Sequence, residues 1–290
     1  MVFRLSTTKI ALVAVLLLII GFILAPYFAG VKTISPVALN IGNIPIHWYG
    51  ITMAIGILSA AFISIKIGLP AISEIDEDQF LSVCLWMIAG GIVGARLLFV
   101  ALKWSLYAGN PASILQINQG GLSLHGALLG GLIALIIFAK QNKLNWLKLA
   151  DVTVIGIPVG QAIGRLGNFF NQEAFGGPTN LPWKMYVAPI FRPEHLSQFN
   201  FFHPTFAYEA LLNLGVFALI LVSLKHYKFS GQLFLLYIAA YSLVRFFMEF
   251  FRIDSDHWGI LSIAQWASLI LIIGSIIWYY QLKSKQLGAI

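Results

Sequence analysis

Apolar positions in this chain neither alternate nor recur as a narrow stripe; they run. Eight near-continuous apolar segments occupy residues 10–29, 48–67, 80–103, 122–139, 151–168, 205–224, 231–251 and 260–280. Each approaches the roughly 20 residues that a helix needs to cross the hydrocarbon of a bilayer. Runs of this length without period-two alternation predict helices, which satisfy their own backbone polar groups in lipid. The expected fold is therefore all-α, a polytopic transmembrane bundle of about eight spans. The fifth run gives the weakest signal, because Pro158, Gly156, Gly160 and Gly164 interrupt it. No internal repeat is evident, which counts against transporter folds built from inverted repeats.

Composition narrows the class further. With 59% apolar and only 10% charged residues, the chain departs from the soluble average of about 25% charged. A water-soluble globule is excluded, and the single cysteine, Cys84, excludes a disulfide scaffold. It reads as a packed free thiol near the cytoplasmic end of its helix. The net charge of +7 is informative by position. Arg4, Lys9, Lys66, Lys140, Lys143, Lys148, Lys225, Lys228, Lys283 and Lys285 share one side of the expected topology, against Lys32, Lys103, Lys184 and Arg192 on the other. The positive-inside rule then places both termini in the cytoplasm.

Four arginines remain, and none lies in a loop between runs. Arg96 falls roughly 24 Å along the third run, and Arg165 and Arg245 fall roughly 21 Å along the fifth and seventh, at 1.5 Å per residue. Arg252 closes the seventh. Polar residues of the oppositely directed runs converge on the same outward level: His47, Trp48 and Tyr49 open the second, His125 the fourth, and Tyr208 and Glu209 the sixth. Ionisable groups within a membrane are costly and mark functional sites by default. We therefore expect one hydrophilic cavity at the outward ends, holding His125, Arg165, Asn168, Glu173, Arg245 and Glu249, above a cytoplasmic half that is nearly featureless.

Three constellations carry chemistry. Tyr241, Arg245, Glu249 and Arg252 are spaced to share one helix face; the alternative reading is an interhelical salt-bridge network. The segment GRLGNFFNQEAFGG, 164–177, delivers Arg165, Asn168, Asn171 and Glu173 at a helix end. The arginine and two amides can hold a phosphate or glycerol head group while Glu173 orients an arginine; a capped helix terminus before the turn at 176–178 is the plainer alternative. In GGLSLHGALLGG, 120–131, the spacing of Gly126 and Gly130 points to close helix packing, as does that of Gly90 and Gly94. His125, without metal-ligand spacing around it, needs another reason to be there. The outer segment 174–204, with Trp183, Glu194 and His195, reads as a lid or docking surface.

From His47 to Lys283 the motifs HWYG (47–50), GAR (94–96), GGLSLHG (120–126), GRLGNFFNQEAFG (164–176), HPTFAYE (203–209) and YSLVRFFMEFFR (241–252) occur in one order. That order resembles the prolipoprotein diacylglyceryl transferase family of bacterial inner-membrane enzymes. The resemblance implies transfer of a diacylglyceryl group from phosphatidylglycerol to the lipobox cysteine thiol of a secreted precursor, with glycerol phosphate released on the outer side of the membrane. It implies catalytic roles for His125, Arg165 and Arg245. Its phosphatidylglycerol-binding set is Tyr49, Arg96, Arg165, Asn168, Asn171, Glu173, Gly176, His203, Glu209, Tyr241, Glu249 and Arg252. This chain departs from the family in GAR and in HGA (125–127), where a second glycine is common. It departs again in the run at 10–29, since members usually begin near WYG and have seven spans. Residues 1–30 are expected to form an extra transmembrane helix or signal anchor, with a cleaved signal peptide as the alternative, and residues 31–290 the transferase domain.

The chemistry of that reaction agrees with the residues. A thiol with an ordinary pKa near 8.5 must ionise, a task for the imidazole of His125, and the departing phosphate needs guanidinium groups that stay charged in a low dielectric. No metal motif, phosphate-cradling glycine loop or nucleic-acid footprint is present, and no cofactor is implied. An anion channel would place polar residues at matched depth in both leaflets, and an assembly protein would need only the interface glycines.

Overall fold

The computed structural model describes residues 21–72, 75–117 and 120–288. Among them are seven helices long and apolar enough to cross a membrane: α1 (Trp48–Ile72), α2 (Glu77–Leu102), α3 (Leu124–Gln141), α4 (Trp146–Asn171), α5 (Thr205–Leu224), α6 (Gln232–Met248, drawn out by a 3-10 turn to Phe251) and α7 (Ile263–Leu287). The protein is a multi-pass, all-α membrane protein. Most of the first apolar run lies outside the described residues; residues 21–28 are helical. Three short antiparallel hairpins decorate the loops: β1 (Val37–Ile41) with β2 (Ile44–His47), β3 (Met185–Tyr186) with β4 (Phe201–Phe202), and β5 (His257–Trp258) with β6 (Leu261–Ser262).

Contacts divide the chain into two compact units. The first comprises residues up to Gly56, Gln161–Asn213 and Ser242–Ile270; the second comprises Ile57–Gly160, Leu214–Tyr241 and the residues from Leu271 onward. Helices α1, α4, α5, α6 and α7 each contribute a stretch to both. The core of the first unit is aromatic: Phe169, Phe175, Met185, Val187, Phe202 and Phe206 are buried together, and Leu24, Tyr27 and Phe28 pack against them. Phe28 stacks on Phe169 with centroids 5.6 Å apart.

In the second unit, α2 and α3 approach closely because glycines face each other. A Cβ at Gly90 would sit 2.5 Å from the Ala134 Cβ and 2.8 Å from the Gly130 carbonyl oxygen, so a side chain there would force the helices apart. The fifth apolar run is neither weak nor short in the fold: it is α4, 26 residues long, with Pro158 inside it. More than half of its apolar window is buried (56%), against 17–33% for the other spans. Its lower hydropathy follows, because a helix surrounded by protein need not be greasy on every face. The Ser64 hydroxyl, on a π-turn of α1, donates to the Thr153 carbonyl and accepts from Gly156 N, both at 3.2 Å.

The expectation of a featureless cytoplasmic half fails at Asp151. This carboxylate is fully buried (0% exposed) and accepts from Gly231 N at 2.6 Å, Phe234 N at 2.7 Å and the Tyr227 hydroxyl at 3.0 Å. Those amides are orphan donors at the start of α6, so a side chain from α4 caps α6 and offsets the positive end of its dipole. Burial and the adjacent Asp151 push the Tyr227 hydroxyl above its usual range, which keeps it a donor. One aspartate in a 26-residue apolar helix has nothing beside it in sequence to mark its role, because its partners lie about 80 residues away. Asp151→Ala strands two backbone donors and is expected to lower stability by on the order of 3 kcal/mol, read as a fall in melting temperature in detergent. Asp151→Asn, which retains one carbonyl acceptor, should fall between it and the parent.

Candidate active site

The end of α4 is fixed before any charge is placed. Trp48 stacks on Phe170 with centroids 4.9 Å apart, and Tyr49 packs so closely on α4 that a Cβ at Gly167 would lie 2.7 Å from its ring and 2.8 Å from Thr52 Oγ1. Beyond Asn171 the chain turns through Gln172 and Ala174, both with positive φ (49° and 51°), a conformation that costs non-glycine residues energy and persists only when surroundings over-determine it. Here they do. Gln172 is buried and its Oε1 accepts from Ala188 N at 2.7 Å, and the Thr205 hydroxyl donates to the Ala174 carbonyl. Gly176 follows, its N–H bonded to the His203 carbonyl at 2.9 Å. A Cβ on it would lie 2.6 Å from the Phe251 carbonyl oxygen, so this position accepts only glycine if the strands are to meet.

Within this frame Arg165, on α4, pairs with Glu209, on α5; their side chains are 21% and 3% exposed. Arg245 pairs with Glu249 one turn along α6, Nη2 to Oε2, at 2.6 Å, with exposures of 24% and 4%. Nη1 of Arg245 is buried and has no hydrogen-bond partner among the described residues. Each arginine is thus held by a buried carboxylate, and on Arg245 one buried N–H group is left unmet by the described residues.

Several assignments made from sequence need revision. Glu173 pairs with no arginine among the described residues; it accepts from the side-chain amides of Asn168 at 2.9 Å and Asn171 at 3.3 Å. The carboxylates that hold arginines are Glu209 and Glu249. Arg252 leaves the polar stripe of α6, because helical geometry stops at the 3-10 turn and Arg252 is extended (φ −78°, ψ 143°). It forms a fork with Asp254, Nε to Oδ1 at 3.0 Å and Nη2 to Oδ2 at 2.8 Å, and its backbone bridges to Gly176. Tyr241 stacks on Tyr237 at 5.9 Å.

Arg96 belongs to the second unit and does not present its donors to a cavity. It is 7% exposed and its guanidinium donates to five carbonyls, those of Ile114, Gly120, Gly121, Ser113 and Gln116, at 2.7–3.4 Å. The ring of Tyr107 lies 5.1 Å away. A cage of carbonyl dipoles satisfies the charge, so Arg96 pins the α2–α3 loop. His125 is in the same unit, exposed in the first turn of α3, which Ser123 caps by accepting from Gly126 N.

In the first unit, Trp183 Nε1 donates to the Tyr208 hydroxyl at 2.7 Å, and that oxygen lies 3.1 Å from His203 Nδ1. Burial pushes the His203 imidazole below its ordinary value, which favours the neutral ring. Segment 174–204 is therefore tied down through Trp183. Sequence reasoning missed Gln161 and Asn213, although each stands one helical turn from a recognised charge, Arg165 and Glu209 respectively.

Two arginine–carboxylate couples thus lie at one end of the helices of a multi-pass membrane protein. A family model described as prolipoprotein diacylglyceryl transferase matches residues 36–281. The chain is 42% identical over 259 residues to a phosphatidylglycerol--prolipoprotein diacylglyceryl transferase of Trichormus variabilis, covering 86% of this chain and 91% of that protein. It is 40% identical over 273 residues to the protein of that name in Synechocystis sp., with 89% and 94% covered. The corresponding figures for Clostridioides difficile are 41% over 250 residues, with 86% and 96% covered. The chain belongs to the prolipoprotein diacylglyceryl transferase family.

Proposed function

We propose that the chain transfers the sn-1,2-diacylglyceryl group of phosphatidylglycerol to the lipobox cysteine thiol of a secreted prolipoprotein, forming a thioether and releasing glycerol phosphate. The observation that carries this reading is the pair of membrane-embedded arginines, Arg165 and Arg245, each oriented by a buried carboxylate. The thiolate attacks the glyceryl CH2 carbon, the C–S bond forms, and the C–O bond breaks with its electrons passing to the phosphate. A phosphate monoester gains charge as it leaves, and fixed guanidinium donors in a poorly hydrated site stabilise it without reorganising. Arg165 and Arg245 take that role, and His125 takes the thiol proton.

Tyr49, Asn168, Asn171, Glu173, Gly176, His203, Glu209, Tyr241 and Glu249 shape or contact the phosphatidylglycerol site. Arg96 and Arg252 support it from the loops they hold. We place the protein in the bacterial cytoplasmic membrane with the reaction on the outer side, a reading supported by the ten basic residues grouped on the opposite side. We read residues 1–30 as an extra transmembrane helix or signal anchor ahead of a transferase domain from 31 to 290.

The direct test is purified protein with phosphatidylglycerol vesicles and a lipobox peptide. The peptide should gain a diacylglyceryl thioether, and a Cys→Ser peptide should not; absence of any product would sink the reading. Arg165→Lys and Arg245→Lys should each lower kcat/KM by about a hundredfold, because an ammonium cannot supply the planar fork. Near-parental rates in both would show that charge alone suffices. For His125, the difference between a thiol near 8.5 and an imidazole near 6.5 sets the expected outcome. His125→Gln should lose most transfer at pH 6.5 and recover part of it by pH 9.5, as hydroxide supplies thiolate. A constant ratio to the parent across that range would remove the base assignment.

A further inference from the structure

One turn below the arginine–carboxylate couples lies a layer of polar atoms that no described residue satisfies. Asn213 is fully buried (0% exposed), yet neither its Nδ2 nor its Oδ1 has a hydrogen-bond partner among the described residues. The same holds for the buried Oε1 of Gln161 and Nη1 of Arg245. Register brings these groups to one level. Helices α4 and α5 meet in antiparallel order, Phe169 against Phe206 at 5.6 Å and then Arg165 against Glu209. The next turn of each helix therefore sets Gln161 opposite Asn213. Helix α6 reaches the same depth. Phe251 packs on Tyr208 at 5.8 Å, and Arg245 lies six residues, about 10 Å, back from Phe251 through the 3-10 turn while Asn213 lies five residues, about 8 Å, on from Tyr208, a difference of less than one helical turn.

The chemistry of these atoms defines what they can take. Nδ2 of Asn213 and Nη1 of Arg245 are donors, and Oδ1 of Asn213 and Oε1 of Gln161 are acceptors. Rotating the Asn213 amide by half a turn exchanges its two atoms and leaves its donor–acceptor balance intact. An ammonium only donates, and an ester carbonyl or a phosphate oxygen only accepts, so each would leave part of the layer unmet. A pair of hydroxyls does both. Buried polar groups without partners are costly, and a diol answers them.

We propose that Gln161 and Asn213, with the open N–H of Arg245, bind the two hydroxyls of the glycerol head group of the donor phospholipid and set the preference for that head group. The proposal rests on the reading of the chain as a phosphatidylglycerol-consuming transferase. With the phosphate at the arginines, the head group reaches one helical turn further, about 5.4 Å, a span that its three-carbon chain covers. A diacyl lipid whose head lacks hydroxyls keeps the phosphate contacts and leaves the amides bare, and such a site rejects the analogue more strongly than an apolar pocket would.

The test compares phosphatidylglycerol with phosphatidylpropanol, which has the same charge and head-group length and no head-group hydroxyls. Full-length protein in mixed micelles with a lipobox peptide gives kcat/KM for each lipid. The parent should favour phosphatidylglycerol at least tenfold, and Asn213→Leu and Gln161→Met should each bring the ratio toward one, chiefly through KM for phosphatidylglycerol. Two variants on different helices are used so that one that does not fold leaves the other to decide. A parent ratio near one, or a parental ratio kept by the folded variants, means that the layer holds water or pairs with itself, and the head-group proposal falls. Transfer by the parent from neither lipid overturns the transferase reading instead, and this one with it.

Discussion

A guanidinium inside a membrane cannot shed its proton to escape the cost of burial, so it must be given a counter-charge or a cage of acceptors. Arg165 and Arg245 meet this constraint with Glu209 and Glu249, whose own side chains are almost completely buried. Removing one partner of such a pair leaves a lone charge, a loss of about 3–5 kcal/mol. The couples therefore fix more than two side chains. Arg165 with Glu209 sets the register of α4 against α5, and the packing of Phe251 on Tyr208 places the end of α6. The aromatic core of the first unit packs around that arrangement.

The connection leaving α4 shows how the register is maintained. Two non-glycine residues in left-handed conformation, a threonine hydroxyl on a backbone carbonyl and a glycine wedged beneath the Phe251 carbonyl all act within a few residues. None of these contacts is strong alone. Together they remove the freedom that a helix end ordinarily has, so that the amides of Asn168 and Asn171 converge on Glu173. Glu173 thus serves as an organiser of neutral donors, while the paired arginines draw their carboxylates from other parts of the chain.

The spans were readable because run length against bilayer thickness is nearly a one-variable argument, and α1 to α7 lie where the apolar runs do. Residue level was harder. The i, i+4 spacing of Arg245 and Glu249 revealed a true pair, but the same periodicity carried Arg252 onto a face that the helix no longer has, because nothing in MEFFR announces a 3-10 ending. Arg96 was recognisable as a buried charge and not as one caged by backbone, since carbonyls are present at every position and leave no mark on composition. Asp151 was passed over for a related reason: its partners are two amides and a phenol far along the chain. A pair of charges one turn apart on a helix, such as Arg245 and Glu249, can be seen in a sequence; a pair across helices, such as Arg165 and Glu209, and a charge held by the backbone cannot.

Asp151 also bears on how the protein is made. Its amide donors at Gly231 and Phe234 lie 80 and 83 residues downstream. At about 5–20 residues per second of synthesis, that is a wait of roughly 4–16 s. Until then α4 carries a carboxylate near its entry point with no capping duty to perform, and water at the boundary must serve it. Closure of the cap cannot precede emergence of α6. The aspartate therefore caps a helix translated long after its own, and the cap is a late contact in the making of the chain.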